Sequence, residues 1–84
     1  MNIGDAVCAL KAGKRIARKG WNGKKMWLHL VRFDGTARVS CVSVEGGVWC
    51  RQADFVEMKT ADNMLVPWLC SQTDLLAEDW EIVT

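Results

Sequence analysis

Apolar residues near the start of the chain recur at helical spacing, with Ile3, Ala6, Val7 and Leu10 at i, i+3, i+4 and i+7. Asn2 can cap the first turn with Asp5 three residues on, and Gly13 can close the helix in a left-handed conformation. A helix ending near Gly13 is predicted. Lys14 to Arg18 then places Ile16 between charged neighbours, the pattern of a short strand with one buried position, and Lys19 to Lys25 reads as a turn carrying Gly20, Asn22 and Gly23. Met26 to Phe33 is the strongest strand candidate. Its faces, Met26/Leu28/Leu30/Arg32 and Trp27/His29/Val31/Phe33, are both largely apolar, so it is either central in a core or pressed against a ligand or another subunit.

Further on, Asp34-Gly35 turns the chain, Ala37 to Val44 reads as a strand, Gly46-Gly47 as a hairpin turn and Val48 to Gln52 as the return. Phe55 to Thr60 and Met64 to Val66 flank Asp62-Asn63, two residues tolerant of positive φ, and form a second hairpin that Pro67 ends. Ser71 can cap a short helical turn through Ala77, with Asp74 at the capping-box distance, and Trp80 to Val83 closes as a strand. No linker, repeat or low-complexity segment interrupts this order. The expected fold is one α+β domain over residues 1–84, with an N-terminal helix packed on a small antiparallel sheet and a short helix before the C-terminal strand.

Composition narrows the class. Half the residues are apolar and a quarter charged, which fits a soluble globular domain. The longest apolar run, Met64 to Cys70, contains Pro67 and has seven residues, against the ~20 that cross a bilayer. No apolar leader opens the chain, and the cysteines at 8, 41, 50 and 70 form no C-x-x-C pair. A cytosolic chain is expected, with reduced thiols buried as small hydrophobes and no membrane partner. The net charge of +1 conceals an asymmetry: residues 1–25 carry +6, residues 26–56 are neutral, and residues 57–84 carry −5. Such a distribution suits an anion site near the first stretch, or ends that attract each other within or between protomers.

Catalytic patterns are weak. The one histidine, His29, sits in mid-strand without a serine or cysteine nearby in a strained turn, so it reads as a packing or contact residue. Zinc needs tighter Cys/His spacing, and Gly20-Trp21-Asn22-Gly23 matches neither phosphate-binding glycine motif. Glu78, Asp79 and Glu81 read as a solvated acidic rim. No catalytic residue, metal or cofactor is expected. Five tryptophans in 84 residues, with ~200 Å² of side chain each, exceed what one small core hides, so some should stack on a ligand or enter an interface. Arg15, Arg18, Lys19, Trp21, Asn22, Lys24, Lys25 and Trp27 combine cations for phosphate with indoles and an amide for a base or ribose. They support a nucleotide-like anion; the alternative is a solvated basic loop with core indoles. The acidic last third argues against a long nucleic acid.

The stretch Asn2 to Leu28, with its AL-K-x-GK-x-x-AR-x-GW-NGK order, and the stretch Met58 to Val83, reading MKTADNMLVPWLCSQTDLLAEDWEIV, resemble the Thoeris anti-defence two family of small phage proteins. The resemblance implies a sponge in the host bacterial cytoplasm. It would bind cyclic ADP-ribose-type signals, including glycosylated forms, without cleaving them, so that the downstream effector stays inactive. It also implies homotetramers with pockets between protomers and, in some members, a separate site for cyclic oligonucleotides. The matching residues are Arg18, Trp21, Asn22, Gly23 and Lys24 in the first motif and Ser71, Gln72, Thr73 and Asp74 in the second. Trp21 would stack on adenine or close the pocket wall, Arg18 and Lys24 would meet the pyrophosphate, and Asn22 with Gln72, Thr73 and Asp74 would hydrogen-bond ribose or base edges. Pro67, Trp68, Asp79 and Trp80 match the family too, but on their own chemistry they read as hinge, core and cap rather than ligand contacts. The alternative function is a small phage module contacting single-stranded nucleic acid or a host protein through the same loop.

Overall fold

In a computed structural model of the chain, helix α1 (Ile3–Lys11) begins where Asn2 Oδ1 accepts the Asp5 amide at 2.9 Å. It ends as the glycine pattern anticipates. Gly13 takes φ +86°, the Lys14 amide donates to Ala9 and the Gly13 amide to Leu10, the paired bonds of a Schellman cap. The structure describes residues 1–33, 42–43, 49–50 and 53–83.

After that cap come strand β1 (Arg15–Arg18), a 3-10 helix (Lys19–Lys24) and strand β2 (Trp27–Val31). The predicted turn is thus a helical one, and the left-handed residue that ends it is Lys25 (φ 55°) rather than a glycine. Strands β3 (Val42–Ser43) and β4 (Trp49–Cys50) pair antiparallel, matching the predicted hairpin where it is described. The rest of that hairpin, with Cys41 and the side chains of Trp49 and Cys50, lies outside the described residues. Strands β5 (Phe55–Lys59) and β6 (Leu65–Pro67) follow, then helix α2 (Gln72–Leu76) and strand β7 (Trp80–Val83). Asn63 adopts φ 65° in the β5–β6 turn. Pro67 belongs to β6 rather than stopping it, which costs little because β6 is an edge strand, and the Trp68 amide still reaches the Val56 carbonyl at 3.0 Å.

The five-stranded sheet has the order β6-β5-β2-β1-β7, antiparallel throughout. The α+β architecture is the expected one. Register aligns Ile82, Ile16, Leu28, Met58 and Val66 in one row across all five strands. Ile16 and Leu28, in the middle of that row, are fully buried with Ala6, Leu10 and Trp80, so this face lies under α1. Each such Leu or Ile contributes ~1.5–3 kcal/mol through burial. β2 is the central strand, with its Leu28 side under α1 and its Trp27 side half-buried and free of helix. β1 buries Ala17 as well as Ile16, two positions instead of the one expected, because it runs between β2 and β7. Cys8 and Cys70 are exposed free thiols, not the buried hydrophobes anticipated. Cys8 falls on an outward position of α1, and Cys70 lies just ahead of the α2 cap.

Candidate functional site

The two motifs of the sequence meet at one end of the α1-covered face. Arg18, at the end of β1, donates from Nε to Asp79 Oδ1 (2.9 Å) and from Nη1 to Asp74 Oδ1 (3.0 Å). These partners lie 61 and 56 residues away in the chain. The expectation of a guanidinium free for an anion is therefore not met, and Asp79 is a salt-bridge partner rather than a solvated rim residue. The hydrogen bond to Asp79, then that to Asp74, raises the Arg18 pKa above its ordinary value. The same contact holds the Asp79 carboxyl below the usual carboxylate range. Part of the opposite charge of the chain ends is thus spent within one protomer.

Asp74 joins three structures. Its amide donates to Ser71 Oγ (3.1 Å), the predicted N-cap of α2; its carbonyl accepts the Trp80 indole N–H (3.0 Å); its carboxylate holds Arg18. Around Trp80, buried at 2% exposure, Trp21 and Trp68 stand edge-on with centroids at 5.4 and 6.0 Å. Three of the five tryptophans therefore build one cluster, and the surplus inferred from composition shrinks to Trp27 and Trp49. Trp21 is half-buried and packs against the core, leaving part of its ring accessible. Gly23 and Lys24 are exposed in the 3-10 helix, and Gln72 and Thr73 are exposed in the first turn of α2. Asn22 occupies the same 3-10 helix, but its side chain lies outside the described residues. Though exposed, the Cys70 thiol has its pKa raised, first by partial loss of solvation from its neighbours and then by the Asp74 charge.

Trp27 stands apart from this group. Alternation from buried Leu28 puts it on the helix-free face, where Arg15 lies over its ring at 4.3 Å and His29 meets it edge-on at 5.2 Å. His29 Nε2 donates to Glu57 Oε1 across the strand pair (2.8 Å). Sequence reasoning passed over two contributors. Asp79 reads as rim from its sequence neighbours, although the opposite charge of the chain ends points to a pairing. Lys59, the single cation among residues 57–84, carries no local signal of a role; its Nζ donates to the Lys25 carbonyl at the end of the 3-10 helix (2.8 Å). Among the described residues, no group of three His, Cys, Asp or Glu is placed to hold a metal ion, and no helix is long and apolar enough to cross a membrane.

Fold and junction together define a small α+β domain whose chain ends are clasped around a tryptophan cluster, with amides, hydroxyls and cations displayed beside it. The Thoeris anti-defense 2-like domain model matches residues 1–83. The chain is also 42% identical over 87 residues to Thoeris anti-defense 2 of Bacillus phage SP01, an alignment covering 100% of this chain and 96% of that protein. It belongs to the Thoeris anti-defense 2 family, and membership supports a phage anti-defence role.

Proposed function

We propose that this protein binds a cyclic ADP-ribose-type signalling nucleotide in the host cytoplasm and sequesters it intact, so that the effector it would activate stays silent. The observation that carries this reading is the meeting of the two motifs: Trp21 and Asp74, far apart in sequence, both touch Trp80. The half-buried Trp21 ring offers a stacking surface for adenine, and Lys24, with Lys19 and Lys25, offers cations for a pyrophosphate. Asn22, Gln72, Thr73 and the Asp74 carboxylate supply hydrogen bonds for ribose or base. Arg18 is recast in this reading: already bound to two carboxylates, it orders the site, and the phosphate falls to the lysines. The half-buried aromatic face around Trp27 supports a homo-oligomer, a tetramer in the fullest version, with pockets completed between protomers.

Calorimetric titration against a panel of cyclic ADP-ribose isomers and cyclic dinucleotides tests the ligand, and native mass spectrometry tests the assembly. Binding of a cyclic ADP-ribose isomer, with that isomer recovered unchanged after heat denaturation, is the expected result. Linear products would point to an enzyme instead. Affinity for single-stranded oligonucleotides that falls steeply with salt, with no binding of the cyclic nucleotides, would favour the nucleic-acid reading.

A further inference from the structure

The segment that carries Trp21, Gly23 and Lys24 is pinned at both ends by contacts from the last third of the chain. At its start, the Lys19 amide donates to the Asp79 carbonyl (3.0 Å), beside the Arg18 bridges. At its end, Lys59 on β5, opposite Trp27 in the register, donates from Nζ to the Lys25 carbonyl (2.8 Å). Lys25 is the strained position of the segment. With φ at 55° it occupies the left-handed region, which a residue with a side chain enters at a cost and keeps only where its surroundings hold it.

We propose that Lys59 is a positioning residue: it holds Lys25 left-handed and so presets the 3-10 segment for the nucleotide, without itself contacting the ligand. This inference rests on the nucleotide reading above. A segment already in its bound shape loses less freedom on binding. Released from Lys59, it samples other shapes, and the apparent affinity falls in proportion to the fraction still competent. The four-carbon stem of Lys59 suits this task, since it reaches from β5 to the end of the 3-10 helix, where its ammonium donates to the Lys25 carbonyl.

The test combines amide hydrogen exchange over residues 19–27 with titration by the cyclic ADP-ribose isomers. It uses the full chain as wild type, K59M, K59R, K25N and K59M/K25N. K59M should speed exchange in the segment and weaken binding about tenfold, the result of lowering the competent fraction to about a tenth, while thermal melting is unchanged. K59R should restore both, because a guanidinium N–H can reach the same carbonyl. Asparagine tolerates the left-handed region far better than lysine. The loss from K59M should therefore be smaller when combined with K25N. Unchanged exchange in K59M overturns the proposal. So does an equal loss of affinity with and without K25N, the signature of a direct charge contact to the ligand. If wild type binds none of the isomers, the nucleotide reading falls while hydrogen exchange still decides whether Lys59 holds the segment.

Discussion

On the α1-covered face an arginine, a carboxylate pair and three indoles form a closed junction; on the opposite face an arginine, a histidine–carboxylate pair and aromatic rings lie side by side in the open. Arg18 is held by Asp74 and Asp79, and its neighbouring tryptophans grip one another through Trp80. Arg15, three residues earlier and on the other side of the same strand, lies over Trp27, while His29 pairs with Glu57 and Phe33 stacks on Phe55 at 6.2 Å. The residue types are similar, and the ion pairs are comparably exposed, at 16–40% for Arg18, Asp74 and Asp79 and 18–35% for His29 and Glu57. The covering of the indoles differs: under the helix Trp80 is 2% exposed, whereas Trp27 is half-buried. On the open face cross-strand pairs stay half-buried, and a second surface could still cover them. The first region is a hinge of the fold; the second has the character of a surface awaiting contact.

Trp80→Ala gives the largest effect expected from this contrast. It empties a fully buried site, removes two edge-on ring contacts and leaves the Asp74 carbonyl without the indole donor. A loss of ~3–5 kcal/mol is expected, enough to unfold much of a domain this small. Trp27→Ala, on the open face, should cost the isolated protomer far less. Urea denaturation of both variants at low protein concentration makes the comparison, and equal losses would break it.

Trp21→Ala comes next, because Trp21 belongs to the junction yet keeps part of its ring exposed. Losing its edge contact with Trp80 and its partial burial should cost ~1–2 kcal/mol of stability. If the ring also stacks on a base, affinity should fall by a further ~1–3 kcal/mol in a protein that remains folded at the assay temperature. Melting and titration on one preparation separate the two losses. A folded variant with unchanged affinity would make Trp21 a purely structural member of the cluster.

Much of the fold was legible because its signals are local. Asn2, Gly13, Ser71 and the Asp62-Asn63 turn each act within a few residues, and each appears where its chemistry requires. The α+β class follows from the change of hydrophobic period after Gly13. Partnership across the chain was harder to read. Arg18 reads as a ligand residue because its sequence neighbours are basic and aromatic, whereas its actual partners come from α2 and from Asp79, just ahead of β7. The same distance hid Lys59, whose partner is 34 residues away. The opposite charges of the two ends were visible, and the choice between pairing within and between protomers depended on the fold. Trp27 was grouped with Trp21 by sequence distance, but the alternation of β2 sends it to the other face.

The pH dependence of the junction provides a gentler probe. Asp79 has a folded pKa below its unfolded one, so it contributes stability that is fully present above the ordinary carboxylate pKa of about 4. That contribution is lost as pH falls through the lowered folded value. The raised pKa of Arg18 works in the other direction: its share is present below the ordinary arginine pKa and lost only as pH rises through the still higher folded value, outside the range of a folding experiment. Wild type should therefore lose stability on the acid side, and Asp79→Asn should begin less stable at neutral pH and show a flatter acid limb. Melting curves from pH 3 to pH 7 compare the two. Parallel acid limbs would mean that other carboxylates carry the acid sensitivity and that the Arg18–Asp79 contact is thermodynamically silent.

The smallest expected effect belongs to Arg15. Its guanidinium lies 4.3 Å from the Trp27 centroid on the open face, at an exposed position of β1, so the attraction is that of a solvated cation over a ring. Such exposed pairs contribute ~0.5–1 kcal/mol. Arg15→Met keeps the apolar stem over the indole and removes the charge, and Trp27→Leu keeps bulk and removes the ring's quadrupole. A double-mutant cycle on these two changes, read by urea midpoints at low protein concentration, isolates the coupling. A coupling within that range fits an adaptable pair, whereas one well above it would mean that Arg15 is as firmly held as Arg18 and the two faces are not different in kind. The same variants followed by native mass spectrometry at higher concentration extend the test. If the open face meets a second copy, Trp27→Leu should shift the population toward smaller species even though its cost to the isolated protomer is slight, because the indole's main contacts would then lie across the interface.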